Sequence, residues 1–241
     1  HAYGIMVARG DLAVEIPYYN IPCIQRMIIN KCMSLRKPVI IATQMLHSMT
    51  HNPLPTRAEV SDIAGAIYSR ADAVMLSGET ASGSYPVESV ATMAKVAAEV
   101  EKSQKDLHDI PPVVLTNERS AFLTKTAVEA AAGLNAKAII ADSSSGNSIR
   151  NMAGFRGRRP IFAHCYDRHT VRHLNLSFGI YPYYIERTGN SHEFVRKALL
   201  SHLKNGTLKE KDLVIIIAGN YGDSFGASFI EISPVELLIG R

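Results

Sequence analysis

The chain has 241 residues, 46% of them hydrophobic and 20% charged, with a formal net charge of +4. That composition is ordinary for a soluble protein with one large domain or two small ones. No apolar run approaches the ~20 residues of a membrane-spanning helix, and the N-terminus, His-Ala-Tyr-Gly-Ile-Met-Val-Ala, lacks the basic start and cleavage site of a signal peptide.

In chain order, residues 3–8 form a short apolar run ending at Arg9-Gly10-Asp11, which reads as a buried parallel strand followed by a loop. The chain opens directly into this strand, the expected look of a cut made inside a fold. Pro22 then starts a helix with Ile24, Met27, Ile28 and Cys32 on its apolar face. A second buried strand covers 39–43. Thr56 and Glu59 make a capping box for a helix running to about Ser69. A third strand, 73–76, precedes a helix from Pro86 to about Lys102, with Val87, Val90, Ala94, Ala97 and Val100 expected to face inward. Repeated strand–helix units imply a parallel sheet. Each polar motif follows a strand directly, at the end where such sheets bind ligands.

Residues 107–117, with Pro111-Pro112, have no periodicity and read as a linker. Beyond it the pattern predicts a helix over about 118–134, a strand 138–141 and a helix from about 148 that ends before Gly157. A strand 161–165, a helix from Asp167 and a strand 181–185 come next. A helix 191–204 closed by Gly206 leads to strands 213–218 and 228–232. Three βα units cannot close a barrel, which needs about 200 residues or more. The first part is therefore an open sheet or a piece of a larger barrel.

Cys23, Cys32 and Cys165 are odd in number and without CxxC spacing, so they read as reduced thiols. Six arginines and a single acid, Asp167, lie between Arg150 and Arg172. No aromatic platform or recognition motif accompanies them, so a small phosphorylated ligand fits better than nucleic acid.

Four strings carry the chemistry. Met6-Val7-Ala8-Arg9-Gly10-Asp11-Leu12 places a glycine and an acid at a strand end. There the backbone can approach a ligand closely, free N–H groups of a following helix can meet an anion, and an aspartate is a hard ligand for Mg2+. A turn with a surface carboxylate is the plainer alternative. Ala42-Thr43-Gln44-Met45-Leu46 puts a hydroxyl at a strand mouth, where it is either structural or able to bond a substrate or carry a proton. Pro55-Thr56-Arg57-Ala58-Glu59-Val60-Ser61-Asp62 and Met75-Leu76-Ser77-Gly78-Glu79-Thr80-Ala81-Ser82-Gly83-Ser84-Tyr85-Pro86 complete the set. Neither contains a hydrolase nucleophile elbow. His47 and His51 stand four apart, but no third ligand makes them a zinc site.

In that order and spacing, the four strings resemble the pyruvate kinase family, strongly over about residues 3–103 and more loosely to about Ile232. The resemblance implies an α/β chain: the last three βα units of a catalytic (β/α)8 TIM barrel (1–106), a linker (107–117) and a three-layer α/β C-terminal regulatory domain (118–241). It implies glycolytic phosphoryl transfer from phosphoenolpyruvate to ADP, giving pyruvate and ATP. Asp11 would be one of two carboxylates on Mg2+ or Mn2+, with K+ as a second cation in the full-length enzyme. Gly10 and Asp11 amides would receive the substrate carboxylate, and Thr43 would contact substrate beside the carbon that is protonated. Ser77 would join a proton relay, with Arg9, Gln44 and Glu79 supporting the pocket.

The family's transition-state lysine and second metal carboxylate lie on the strand before Tyr3 and are absent here, as are the monovalent-cation site, most nucleotide contacts and the lid domain. The chain alone is therefore expected to be inactive. Ala13 stands where the family usually has glycine, and His47 where it often has an acid. In the second part, Asp142-Ser143-Ser144-Ser145-Gly146-Asn147-Ser148 joins a strand to a helix. It reads either as a phosphate cradle or as a plain helix cap, and it lacks a Walker ending. By resemblance, Ser143–Ser148 would bind a sugar-phosphate effector, with a later loop near 220–226 closing over it, and the stretch Val171–Glu186 also resembles the family. The family further implies a cytoplasmic homotetramer with no nucleic-acid or membrane partner. Two rival readings are a non-catalytic sugar-phosphate-binding and oligomerisation module, and a different barrel enzyme acting on pyruvate or phosphoenolpyruvate.

Overall fold

The computed structural model describes residues 2–103, 110–111, 113–219 and 226–240. The chain divides into two compact units, His1–Lys105 and Asp106–Arg241.

In the first unit, β1 (Ile5–Ala8), β2 (Val39–Ala42) and β3 (Ala73–Met75) form a parallel sheet in the order β1-β2-β3. Val7 pairs with Ile41, and Ile41 with Val74. Between the strands run α1 (Arg9–Glu15), α2 (Ile21–Ser34) and α3 (Arg57–Tyr68), with α4 (Gly78–Ala81) and α5 (Pro86–Ser103) after β3. The fully buried Ile29, Val39, Ile41, Met45, Leu46, Met49, Ile63 and Ala66 form the centre of its core. Thr56 and Glu59 make the reciprocal capping box read from the sequence.

Four expectations for this unit change. No loop follows β1, because Arg9 already opens α1. β1 is only partly buried: Val7 lies in the core, while Ile5 and Met6 are exposed on an edge strand paired only with β2. On α2, Met27 is exposed and Ile29 buried. On α5, Val87 and Val90 are exposed, and the inward stripe is Ser89, Met93 and Val100. A serine can sit inward because its hydroxyl donates to the Tyr85 carbonyl at 2.7 Å.

The second unit holds a five-stranded sheet of order β6-β5-β4-β7-β8. Its strands are β4 (Ala138–Ser143), β5 (Ile161–Cys165), β6 (Ile180–Tyr184), β7 (Leu213–Ala218) and β8 (Phe229–Pro234). All pairings are parallel except β7 with β8. The helices are α6 (Glu118–Gly133), α7 (Asn147–Gly154), α8 (Arg168–Leu174), α9 (Ser191–Lys204) and α10 (Val235–Ile239). Ile140, Phe162, Val214 and Ile216 bury one face of the sheet against Phe194, Val195, Ala198 and Leu199 of α9 and Val235 and Leu238 of α10. Ile139, Ile161, Ile215 and Ile217 are equally buried on the other face, where α6 and α7 pack. Both faces are covered at β4, β5 and β7, so those strands read as largely apolar runs.

Side chains of Asn117, Asp167 and Asn190 cap α6, α8 and α9, accepting from the Ser120, Thr170 and Glu193 amides. Of the expected linker, residues 107–109 and 112 lie outside the described residues. Its end is tied into the second unit, because Asn151 donates to the Val113 carbonyl at 2.9 Å. Helix α10 is absent from the sequence reading.

Candidate functional site

At the C-terminal end of β2 the chain makes a sharp turn through Thr43 (φ 68°) and Gln44 (φ 56°). Neither is glycine, and a β-branched residue at positive φ is a genuine outlier. Such a conformation costs about 1–3 kcal/mol and persists only where its surroundings over-determine it.

Arg9 does the over-determining. Its Nε donates to the Ala42 and Thr43 carbonyls at 3.3 and 3.2 Å, and its Nη2 to the Thr43 carbonyl at 2.5 Å. Nη2 also reaches Met45 Sδ at 2.9 Å, while Nη1 pairs with Asp62 Oδ2 on α3 at 2.5 Å. Most of the guanidinium is thus committed to the protein, which makes Arg9 a positioning residue. The turn brings Thr43 Oγ1 to 3.0 Å from the Gly10 amide, which donates to it.

Glu79 supplies a second clamp. Its carboxylate is 1% exposed and accepts from the amides of Leu46 (2.9 Å) and Ser77 (2.8 Å), tying the turn after β2 to the turn after β3. Burial alone would raise this carboxyl, but backbone hydrogen bonds from Glu79, Ser77 and Leu46, with the nearby His47, outweigh it and hold it below its ordinary value. Gly83 permits this packing: a Cβ there would stand 2.5 Å from the Glu79 carbonyl oxygen.

The structure therefore brings Arg9, Gly10 and Thr43 together and joins Ser77 to Glu79. Asp11, Gln44 and Ser77 are exposed at the same ends of the strands. Asp11 suits a hard divalent cation as one oxygen ligand. Among the described residues, however, no group of three or more His, Cys, Asp or Glu gathers to hold a metal ion. The residues present do not make a Mg2+ site by themselves. Asp62 went unremarked by sequence reasoning, although it lies within one of the four strings; an arginine paired across 53 positions leaves no local signal.

In the second unit, the loop after β4 lies where the strand order reverses between β4 and β7, the place where open α/β sheets bind ligands. Ser143 Oγ accepts from the Gly146 amide at 2.8 Å, and Gly146 (φ 78°) turns the chain into α7. Ser144 Oγ accepts from Arg187 at 3.2 Å, while Ser148 Oγ meets Ser120 Oγ at 3.1 Å. Arg150 bonds the Ser145 carbonyl and the Asn147 side chain. From the arginine-rich stretch, then, Arg150 reaches the loop, whereas Arg156 and Arg168 lie over the rings of Phe178 and Tyr184. Arg187, outside that stretch, was not anticipated. Asp142 accepts from Tyr166 Oη (2.8 Å) and the Gly219 amide (3.3 Å). Burial raises its carboxyl above the ordinary value despite those bonds and the nearby Arg187. Residues 220–225 of the expected closing loop lie outside the described residues.

Comparison with known proteins gives one answer throughout. The family described as pyruvate kinase, barrel domain, matches residues 1–90, and that described as pyruvate kinase, alpha/beta domain, matches residues 122–233. The chain is 43% identical over 239 residues to a pyruvate kinase of Borreliella burgdorferi, covering 98% of this chain and 50% of that protein. It is 44% identical over 219 residues to one of Clostridium acetobutylicum, covering 90% and 46%. A crystal structure of a pyruvate kinase from Cryptosporidium parvum matches with a TM-score of 0.84 and 33% identity, over 97% of this chain and 47% of that one. The chain spans about half the length of the curated relatives it matches. Among the described residues no helix is long and apolar enough to cross a membrane.

Proposed function

The chain belongs to the pyruvate kinase family, and we propose that it is part of an enzyme moving a phosphoryl group from phosphoenolpyruvate to ADP, giving pyruvate and ATP. In this reading residues 1–106 are the last three βα units of a (β/α)8 barrel, 107–117 a linker and 118–241 a regulatory domain. The observation that carries it is the strained Thr43-Gln44 turn held by Arg9 beside the Gly10 amide. Stored strain at the C-terminal end of a parallel strand is characteristic of working sites.

The Thr43 hydroxyl oxygen, which the Gly10 amide now bonds, stands in for the substrate oxygen that the Gly10 and Asp11 amides receive. Thr43 contacts substrate beside the carbon that takes the proton, and Ser77 belongs to the proton relay. Arg9 and Glu79 fix these groups in place without touching the reacting atoms. Asp11 would contribute one ligand toward Mg2+ or Mn2+ in the full-length enzyme, with K+ as the second cation there, and the divalent ion would neutralise charge on the transferring phosphoryl group. The whole enzyme is a cytoplasmic homotetramer in this reading.

The decisive experiment extends the polypeptide upstream. A strand before Tyr3 carrying a lysine and an acid is expected there, and the extended protein should form ATP from phosphoenolpyruvate and ADP in a coupled assay. The 241-residue polypeptide alone should not, since each lost transition-state group costs about 2.7–4 kcal/mol. An extended protein without turnover, or kinase-like turnover of about 1–100 s⁻¹ from the 241 residues, defeats the proposal.

A second reading is favoured by the loop at the switch point of the second sheet, where Arg187 donates to Ser144 and Arg150 to the Ser145 carbonyl and the Asn147 side chain. It makes the second unit a sugar-phosphate-binding, allosteric and assembly module that acts without chemistry of its own.

A further inference from the structure

Outside both candidate sites, helix α8 presents His169 and His173 one turn apart. Their ring centroids are 3.9 Å apart at an interplanar angle of 51°. Residues at i and i+4 share a helix face with Cβ atoms about 5–6 Å apart, the placement with which two helical histidines take one metal ion. His47 and His51 have the same sequence spacing without the same geometry. His47 opens a 3-10 turn, His47–Thr50, and His51 caps its end, so i and i+3 are aligned instead.

The surroundings of the α8 pair favour a cation. Asp167 caps the helix by accepting from the Thr170 amide, which places a carboxylate two residues before His169. Arg168, adjacent to His169, is drawn 4.5 Å over the Tyr184 ring. Arg172 is exposed on the same helix and acts against binding.

We propose that His169 and His173 form a two-histidine site for a late first-row divalent cation (Cu2+, Ni2+ or Zn2+), with water completing the coordination. Imidazole suits these ions, and the order of affinity is expected to put Cu2+ first. The two ligands are neutral imidazoles, so binding releases protons and weakens in acid. One bound ion ties together two turns of a seven-residue helix, a length that is marginal without tertiary support.

Calorimetric titration of NiCl2, and separately ZnCl2, into the chelator-treated 241-residue chain at neutral pH tests this. One saturable site in the micromolar range is expected. Either His169→Ala or His173→Ala should weaken it about tenfold or more, because the second ligand is no longer tethered beside the first. His192→Ala, an exposed histidine on α9, should leave it unchanged. With Cu2+, paramagnetic resonance should show two equivalent imidazole nitrogens. Wild-type affinity in both α8 variants, or no saturable binding below about 1 mM, overturns the proposal.

Discussion

Lowering the pH from 7 to 5 should loosen the second unit through two buried histidines. His164 on β5 and His202 on α9 are 3% and 2% exposed, and their ring centroids are 5.2 Å apart. Phe162 stacks on His202 at 4.4 Å, and Tyr183 on His164 at 5.5 Å. Among the described residues, His164 Nδ1 and His202 Nε2 are buried without a hydrogen-bond partner. Burial, then the neighbouring His202, brings His164 down to about 3, and burial lowers His202 as well.

A histidine whose folded value is depressed binds its proton more readily in the unfolded chain. Stability therefore falls as pH drops below the ordinary value near 6.5, and continues to fall until about 3. Each pH unit inside that window is worth about 1.4 kcal/mol, so His164 alone withdraws about 2 kcal/mol by pH 5. His202 adds to this in the same direction. Asp142, raised by burial, works oppositely, because its protonation favours the folded state. Denaturant unfolding at pH 7, 6 and 5, followed by exchange of the α9 amides, measures the effect. His164→Phe should flatten the slope. Stability that is level between 6.5 and 5 in the parent chain, or an unchanged slope in His164→Phe, refutes the reasoning.

Arg9→Ala should destabilise the first unit by ~1–3 kcal/mol, since it strands Asp62 and releases the strained turn; an unchanged midpoint for that unit would show that the turn is held by other means. The 241-residue chain should show no saturable Mg2+ binding below about 1 mM, and sub-millimolar binding abolished by Asp11→Asn would contradict this. Calorimetry with fructose 1,6-bisphosphate should detect binding to the second unit, lost in Ser144→Asp, where an added carboxylate repels phosphate; no binding at millimolar concentration removes the effector reading.

Much of the second sheet is legible because its central strands are short apolar runs, most plainly Leu213–Ala218, set between turn and capping signals. Asp167, Asn190 and Gly206 mark helix ends that the structure keeps. The first unit is harder to read. Its α5 carries two apolar stripes, one through Val87 and Val90 and one through Met93 and Val100, and hydrophobicity favours neither. A hydroxyl that bonds its own helix lets Ser89 occupy the buried side, so polarity at one position misleads about the whole face. The β1 edge deceives similarly. Ile5 and Met6 look like core and lie exposed, because burial depends on neighbours that periodicity cannot supply.

The candidate site was legible as a set of residue types at strand ends, not as a mechanism of positioning. Nothing in Ala42-Thr43-Gln44-Met45 announces two left-handed residues, because that conformation is ordinarily signalled by glycine or asparagine. The turn exists because Arg9, from the preceding strand end, bonds the Thr43 carbonyl through both Nε and Nη2 and is itself anchored by Asp62. Three elements thus specify one strained dihedral pair, and each is unremarkable alone. The same interdependence argues that Arg9, Thr43 and Asp62 behave as one unit under mutation. The double variant Arg9→Ala/Asp62→Ala should cost less than the sum of its single variants, as expected for residues in a shared network. Strict additivity in a double-mutant cycle would mean that the turn is stable without the pair, and that the strain at Thr43 is supported by the core residues Met45 and Leu46 instead.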